Sequence, residues 1–230
     1  MKKCLYEAAA FINAKRQIFI SLFLLLLAGG YLIGRCSQAD AARSCFWLTP
    51  LLLAETLLQI FVPFWLYRRH LQHAAFSFFT RETYTAFLRF ALGWIAVTCA
   101  SFGLLFICGL FQGQLGELSG MPFIAPALVL LLKALAVAGI IVRLHALLPA
   151  LALGLDIKCL GDFPRLIRQP LRYWLPAGMA IYFPWYVLAE YINFPMLEKG
   201  IKYALILYAA AFWIVYYRRE KIISRLEVKE

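Results

Sequence analysis

The chain has 230 residues, of which 63% are hydrophobic and 15% are charged, and its formal net charge is +11. A soluble domain is about half apolar and about one quarter charged, so this composition excludes an ordinary soluble protein and is typical of a polytopic membrane protein. The positive charge does not indicate a nucleic-acid partner, because Lys and Arg lie at the ends of apolar stretches rather than in one basic stripe.

The apolar stretches predict an all-α fold, a single integral membrane domain of about six transmembrane helices. About 20 apolar residues are needed to cross a hydrocarbon layer about 30 Å thick. Between spans, residues 71–89 mix aromatic and charged side chains and predict an interfacial amphipathic connector. Residues 144–155 predict either an extension of the fourth span or an interfacial segment that bends at Pro149. The spans are predicted near 17–34, 46–67, 90–111, 123–142, 173–192 and 201–217.

The distribution of Lys and Arg predicts the orientation. Of the 23 such residues, 18 lie in the segments expected to be cytoplasmic and 4 in the outer loops, and Lys133 is the remaining one. Cytoplasmic loops carry the excess of Lys and Arg, so both termini are expected in the cytoplasm of a bacterium, with the chain in the inner membrane. A cleaved signal peptide is the alternative for the first span, since Ala39, Asp40 and Ala41 resemble a cleavage site.

Three ionisable residues lie inside the predicted spans: Glu55, Lys133 and Glu190. Such charges are costly in lipid and usually face a cavity or each other, which leaves two interpretations, a transport site or an internal ion pair. Glu55 and Lys133 are expected at similar depths and are predicted to pair. Glu190 is expected near the outer boundary, where water reaches it.

The cysteines and histidines indicate no cofactor or metal site. Cys36 and Cys45 share the first outer loop and are a possible disulfide if that compartment is oxidising. No Cys-x-x-Cys is present, and His70 with His73 lacks a third ligand, so no metal is expected. No phosphate loop, nucleophile elbow or His-Glu-x-x-His occurs either, and we expect no catalytic residue and no enzyme activity.

Two neighbouring runs, RLHALLPALALG from Arg143 and RLIRQPLRYW from Arg165, resemble a loop in one group of membrane proteins. These are small six-helix bacterial proteins related to the membrane domain found beside some glycerophosphodiesterases. The resemblance implies a six-helix membrane fold and assigns no catalytic residue.

Taken together, these patterns predict a non-catalytic multi-pass membrane protein that acts through helix-mediated binding, in an accessory, assembly or immunity-type role. Its expected partners are the lipid bilayer and another membrane protein or a second copy of the chain. The alternative is a small transporter with a site near the middle of the membrane around Lys133 and Glu55. A water-filled cavity that reaches Lys133 would favour the transporter.

Overall fold

The structure is a computed structural model that describes residues 1–39, 48–71, 80–119, 124–154, 169–186 and 194–219. Throughout this part of the chain the regular structure is helical and no strand occurs, so the predicted all-α class is confirmed. The helices are α1 (Lys2–Ala14), α2 (Arg16–Ala39), α3 (Leu48–Leu71), α4 (Arg81–Ser119), α5 (Ile124–Ala136), α6 (Val142–His145), α7 (Leu148–Ala152), α8 (Leu171–Ala177), α9 (Phe183–Tyr186) and α10 (Pro195–Arg219).

Three segments are long and apolar enough to cross a membrane. They are Arg81–Leu110, Pro126–Ala152 and Leu197–Arg219. A fourth qualifies if α1 and the first part of α2, Lys2–Ala14 and Arg16–Leu32, count as one span bent by 88°. These findings support a membrane protein with three to four candidate spanning helices among the described residues.

The helix α4 is longer than the predicted third span at both ends. Thr80 precedes its first turn and accepts a hydrogen bond from the backbone N–H of Thr83, 3.3 Å away, which caps the helix. From Arg81 the chain has no Pro and continues as one helix to Ser119. The prediction of a separate interfacial connector is therefore wrong over residues 81–89, and the helix extends into the second of the three predicted outer loops. Residues 72–79 lie outside the described part of the chain.

A helix that the sequence did not predict, α1, packs against α10. Cys4 and Ala8 on its inner face are buried. The hydroxyl of Tyr208 on α10 donates a 2.7 Å hydrogen bond to the carbonyl of Leu5. The segment does not stand out as an apolar span, because Lys2, Lys3 and Glu7 interrupt its apolar residues.

Two π-helical turns meet where the fourth and fifth predicted spans cross. Val137–Ile141 joins α5 to α6, and Gly178–Tyr182 joins α8 to α9. A Cβ on Gly178 would lie 2.7 Å from the Cα of Ala138, so the two backbones pack as closely as they do because residue 178 has no side chain. Pro149, one predicted position for a bend, lies inside α7, and the chain from Pro126 to Ala152 is long and apolar enough to form one span.

The core between these helices is rich in aromatic side chains. His145 is buried, with its ring 4.6 Å from the ring of Tyr182. The indole N–H of Trp213 donates a 2.6 Å hydrogen bond to the Tyr182 hydroxyl. The hydroxyl of Tyr217 donates a 2.6 Å bond to the carbonyl of Ala146, one of the last carbonyls after α6. These two hydrogen bonds connect different helices, whereas the buried indole N–H of Trp174 has no hydrogen-bond partner among the described residues.

Basic side chains tie several helix ends together at one end of the bundle. Arg218 on α10 donates two hydrogen bonds, 3.1 and 2.5 Å long, to the carbonyl of His70 at the end of α3. Arg68 on α3 donates to the carbonyls of Ala152 and Leu153 at the end of α7, both at 3.5 Å. A cation at a helix C-terminus interacts favourably with the exposed carbonyls and the helix dipole.

Candidate functional site

Glu55, one of the three charged residues predicted inside a span, forms the centre of a polar cluster between α3 and α10. It is buried, with 9% of its surface exposed. The ammonium of Lys199 lies 3.1 Å from one carboxylate oxygen and donates to the other at 3.2 Å. The hydroxyl of Tyr203 donates a short hydrogen bond to the same carboxylate. Lys199 and Tyr203 are four residues apart on α10, so both face α3.

The same cluster also holds α2. Lys199 donates a second hydrogen bond, 3.2 Å long, to the carbonyl of Gly30. A Cβ on Gly30 would overlap the ring of Tyr203, so glycine is what allows α2 to lie this close to α10. Three helices that are distant in sequence therefore meet at one carboxylate.

A cavity of about 240 Å³ opens beside this cluster. Glu198 and Lys202 form a 2.5 Å salt bridge within α10 at its edge. Among the described residues, two carboxylates and two ammonium groups line the cavity, so the charges of its described lining balance. Its described lining consists of Glu55, Gln59, Glu198, Lys199, Lys202, Tyr203 and Ile206.

Chemically, this arrangement suits a clamp between helices. An ion pair that is shielded from water and supported by further hydrogen bonds fixes the relative position of the elements that carry it. The carboxylate already accepts from Lys199, Tyr203 and Gln59. Most of its hydrogen-bonding capacity is therefore used within the protein, which leaves little for a bound substrate.

Lys133 is not the cation at Glu55, contrary to the prediction from depth. The structure places Lys133 in a separate groove of about 520 Å³, which α4 and α5 form on the outside of the bundle. The groove is lined by Phe102, Leu105, Phe106, Gly109, Leu110 and Lys133. The two residues expected to form one midplane site thus belong to two sites.

The depth of a residue along a span does not determine the direction in which its side chain points around the helix axis. Glu55 faces α10, against which α3 packs, whereas α5 packs against α4. In addition, α10 begins at Pro195 rather than near 201, so Lys199 lies inside the helix and not in the outer loop. No feature of the sequence distinguishes Lys199 from Lys202 as the partner of Glu55.

The remaining predicted site residues are only partly described. Glu190 and Cys45 lie outside the described residues, as does the side chain of Cys36, whose backbone belongs to α2. The predicted Cys36–Cys45 disulfide therefore stays a prediction. Cys4, Cys99 and Cys108, which the structure does describe, are free thiols.

The histidine pair also falls partly outside the description, because His73 is not covered. The ring of His70 packs edge-on against Phe11, 5.1 Å away between centroids. Within the ranges that the structure covers, no group of three His, Cys, Asp or Glu residues is arranged to hold a metal ion.

Comparison of the chain with protein-family models, with curated proteins and with solved structures found no match. The resemblance to the membrane domain associated with glycerophosphodiesterases is therefore still a prediction from the sequence.

Proposed function

We propose that this chain is a six-span protein of a bacterial inner membrane, with both termini in the cytoplasm, that binds a partner membrane protein through its helices and performs no catalysis. The charge distribution of the sequence supports this orientation. The observation that carries the binding role is the groove between α4 and α5, where Lys133 lies among apolar side chains on the outside of the bundle.

The groove has the shape and composition of a helix-binding surface. Phe102 and Phe106 on its α4 side are 51% and 68% exposed. A Cβ on Gly103 or Gly109 would have no described atom within 4 Å, so another helix could approach this part of α4 closely. A partner transmembrane helix with small residues fits this surface, and such a helix would contact Lys133, which lines the groove.

The Glu55 cluster supports the same proposal for a different reason. Its cations and carboxylates are matched within the protein, as expected of a structural clamp. The bundle then presents a rigid outer surface, and rigid surfaces lose little entropy when a partner binds.

Photo-crosslinking in cell membranes tests the proposal. A benzophenone amino acid at Phe106 should give a discrete protein adduct, whereas the same probe at Leu24, which is 55% exposed on α2, should react mainly with lipid. Adding Lys133→Met should weaken the Phe106 adduct. Identical products from both positions, or an adduct indifferent to Lys133, would overturn the assignment of the groove.

A second candidate function, a small transporter, is favoured by the charged cavity beside Glu55. Such a carrier would use Glu55 and Lys199 as the site for a proton or a small ion. Proteoliposomes with an enclosed pH-sensitive dye test this under an imposed membrane potential. A proton flux that disappears in Glu55→Gln would support the carrier, and the absence of any flux in the native chain would remove it.

A further inference from the structure

A second cavity, of about 530 Å³, lies at the basic end of the bundle, between α3, the start of α4 and the end of α7. Its described lining consists of Arg68, Arg81, Glu82, Thr85, Ala86, Arg89, Leu153 and Gly154. Three arginines oppose one glutamate, which leaves an excess of two positive charges in the described lining. A concave surface with such an excess attracts anions.

The arginines are arranged on a fixed framework. Arg81, Thr85 and Arg89 follow each other at intervals of four residues, so they share one face of α4. Arg68 is buried and lies at the inner wall, where its guanidinium donates to the hydroxyl of Thr83 at 3.2 Å. Its bonds to the carbonyls at the end of α7 hold it in place. The cavity therefore has one fixed guanidinium inside and two exposed ones at its edge.

Among anions, a phosphate group fits these donors best. The planar fork of a guanidinium binds two phosphate oxygens at once, and Arg is accordingly the preferred residue for phosphate recognition. The first turn of α4 borders the cavity through Arg81 and Glu82. The positive end of that helix dipole adds to the attraction for an anion.

The surface next to the cavity indicates which kind of molecule carries the phosphate. Leu88, Leu92 and Ile95 continue along α4 from the cavity and are 44%, 69% and 48% exposed. They lie in the segment Arg81–Leu110, which is apolar enough to cross a membrane. The exposed side of α4 thus changes from basic to apolar over about two turns, as the surface of a lipid changes from headgroup to acyl chain.

We propose that this cavity binds the phosphate of an anionic membrane phospholipid, with Arg81 and Arg89 holding the headgroup and the acyl chains lying along Leu88, Leu92 and Ile95. Basic pockets at the cytoplasmic ends of transmembrane helices are suited to anionic headgroups. This site is separate from the groove at Lys133 and does not depend on a partner protein.

Lipid binding to the purified full chain tests the proposal. The protein is delipidated in dodecyl maltoside and titrated with dioleoylphosphatidylglycerol, dioleoylphosphatidylcholine or inorganic phosphate, while native mass spectrometry counts bound lipid and a thermal melt reports stability. We expect phosphatidylglycerol to bind at least about tenfold more tightly than phosphatidylcholine, and Arg81→Gln with Arg89→Gln to abolish the difference.

The matched control is Lys3→Gln with Arg16→Gln, which also removes two exposed positive charges but lies on α1 and α2. It should keep the preference for phosphatidylglycerol. Equal losses in both double variants would show general charge attraction and overturn the site. Stabilisation by inorganic phosphate with no further effect of lipid would overturn the lipid as its source. Size-exclusion profiles report folding, and Arg89→Lys, which keeps the charge, should retain part of the preference.

Discussion

Lys199 and Glu55 form a 3.1 Å salt bridge although 144 residues separate them in the sequence. The salt bridge joins α3 to α10, and the carbonyl of Gly30 on α2 accepts a hydrogen bond from the same ammonium. Because the side chain of Glu55 is only 11% exposed, loss of its cation would leave a carboxylate with little access to water.

The first prediction concerns this pair. Lys199→Met or Glu55→Gln alone should lower the free energy of unfolding by about 1–3 kcal/mol, because each leaves a poorly solvated partner. The double variant should recover part of that loss. A double-mutant cycle on the detergent-solubilised protein measures the coupling.

Glu198 and Lys202 provide the control, since they form a salt bridge of the same helix that is about one third exposed on both sides. Glu198→Gln with Lys202→Met should change stability by less than about 1 kcal/mol. Strictly additive losses at Glu55 and Lys199 would contradict the clamp.

The second prediction concerns the crossing of the π-helical turns. Gly178→Ala should destabilise the protein by about 1–3 kcal/mol, because the new methyl group would meet the backbone of Ala138 and force the helices apart. Gly103→Ala is the matched control, as its Cβ would meet no described atom within 4 Å, and it should be neutral or slightly stabilising. Thermal melts of both variants test this prediction. Equal melting temperatures for Gly178→Ala and Gly103→Ala would argue against a close contact at Gly178.

The third prediction concerns Tyr217, whose buried hydroxyl donates to the carbonyl of Ala146. Tyr217→Phe removes the donor and leaves the carbonyl with one partner fewer, so we expect a loss of about 1–2 kcal/mol. Tyr6→Phe, at a position that is 79% exposed, should have no measurable effect. Chemical denaturation in mixed micelles compares the two, and an unchanged Tyr217→Phe would mean that the bond contributes nothing net.

The fourth prediction is a dependence on pH. Burial, together with the nearby cations Arg218, Arg69 and Lys15, lowers the pKa of His70 from 6.5 to about 4. The unfolded chain therefore takes up a proton at His70 before the folded chain does, and stability should fall as the pH drops from about 6.5 towards 4. His70→Gln should reduce that fall. A pH series of unfolding midpoints tests this, and identical profiles for the two proteins would exclude His70 as the cause.

The fifth prediction is the orientation. Green fluorescent protein fused after Arg69 or after Arg219 should fluoresce, because these positions are expected in the cytoplasm, where Lys and Arg accumulate. Alkaline phosphatase fused after Gly120 should be active, because that position is expected outside. An alkaline phosphatase and green fluorescent protein pair measures both cases. Phosphatase activity at Arg219 would contradict the six-span proposal.

Hydropathy indicates which segments of this chain form helices, but it does not indicate which side chains meet between them. Apolar length predicted helices at the positions of α2 to α5 and α10, and the cost of a buried charge correctly drew attention to Glu55. The identity of its partner depends on which way each helix face points, which a linear pattern does not contain. The sequence does not predict α1 for a related reason: Cys4 and Ala8 are its buried residues, and charged residues lie next to them in the sequence.

The packing of α1 against α10 sets an order of events during synthesis. Residues 2–14 are made before the other described helices, and Tyr208, which donates a hydrogen bond to Leu5, is made about 200 residues later, after roughly 10–40 s at typical rates of translation. During that time α1 lacks α10, the helix against which it packs most extensively. Docking of α1 on α10 is therefore among the last steps of assembly, and a ribosome stalled before α10 would leave this face of α1 exposed to chaperones and proteases.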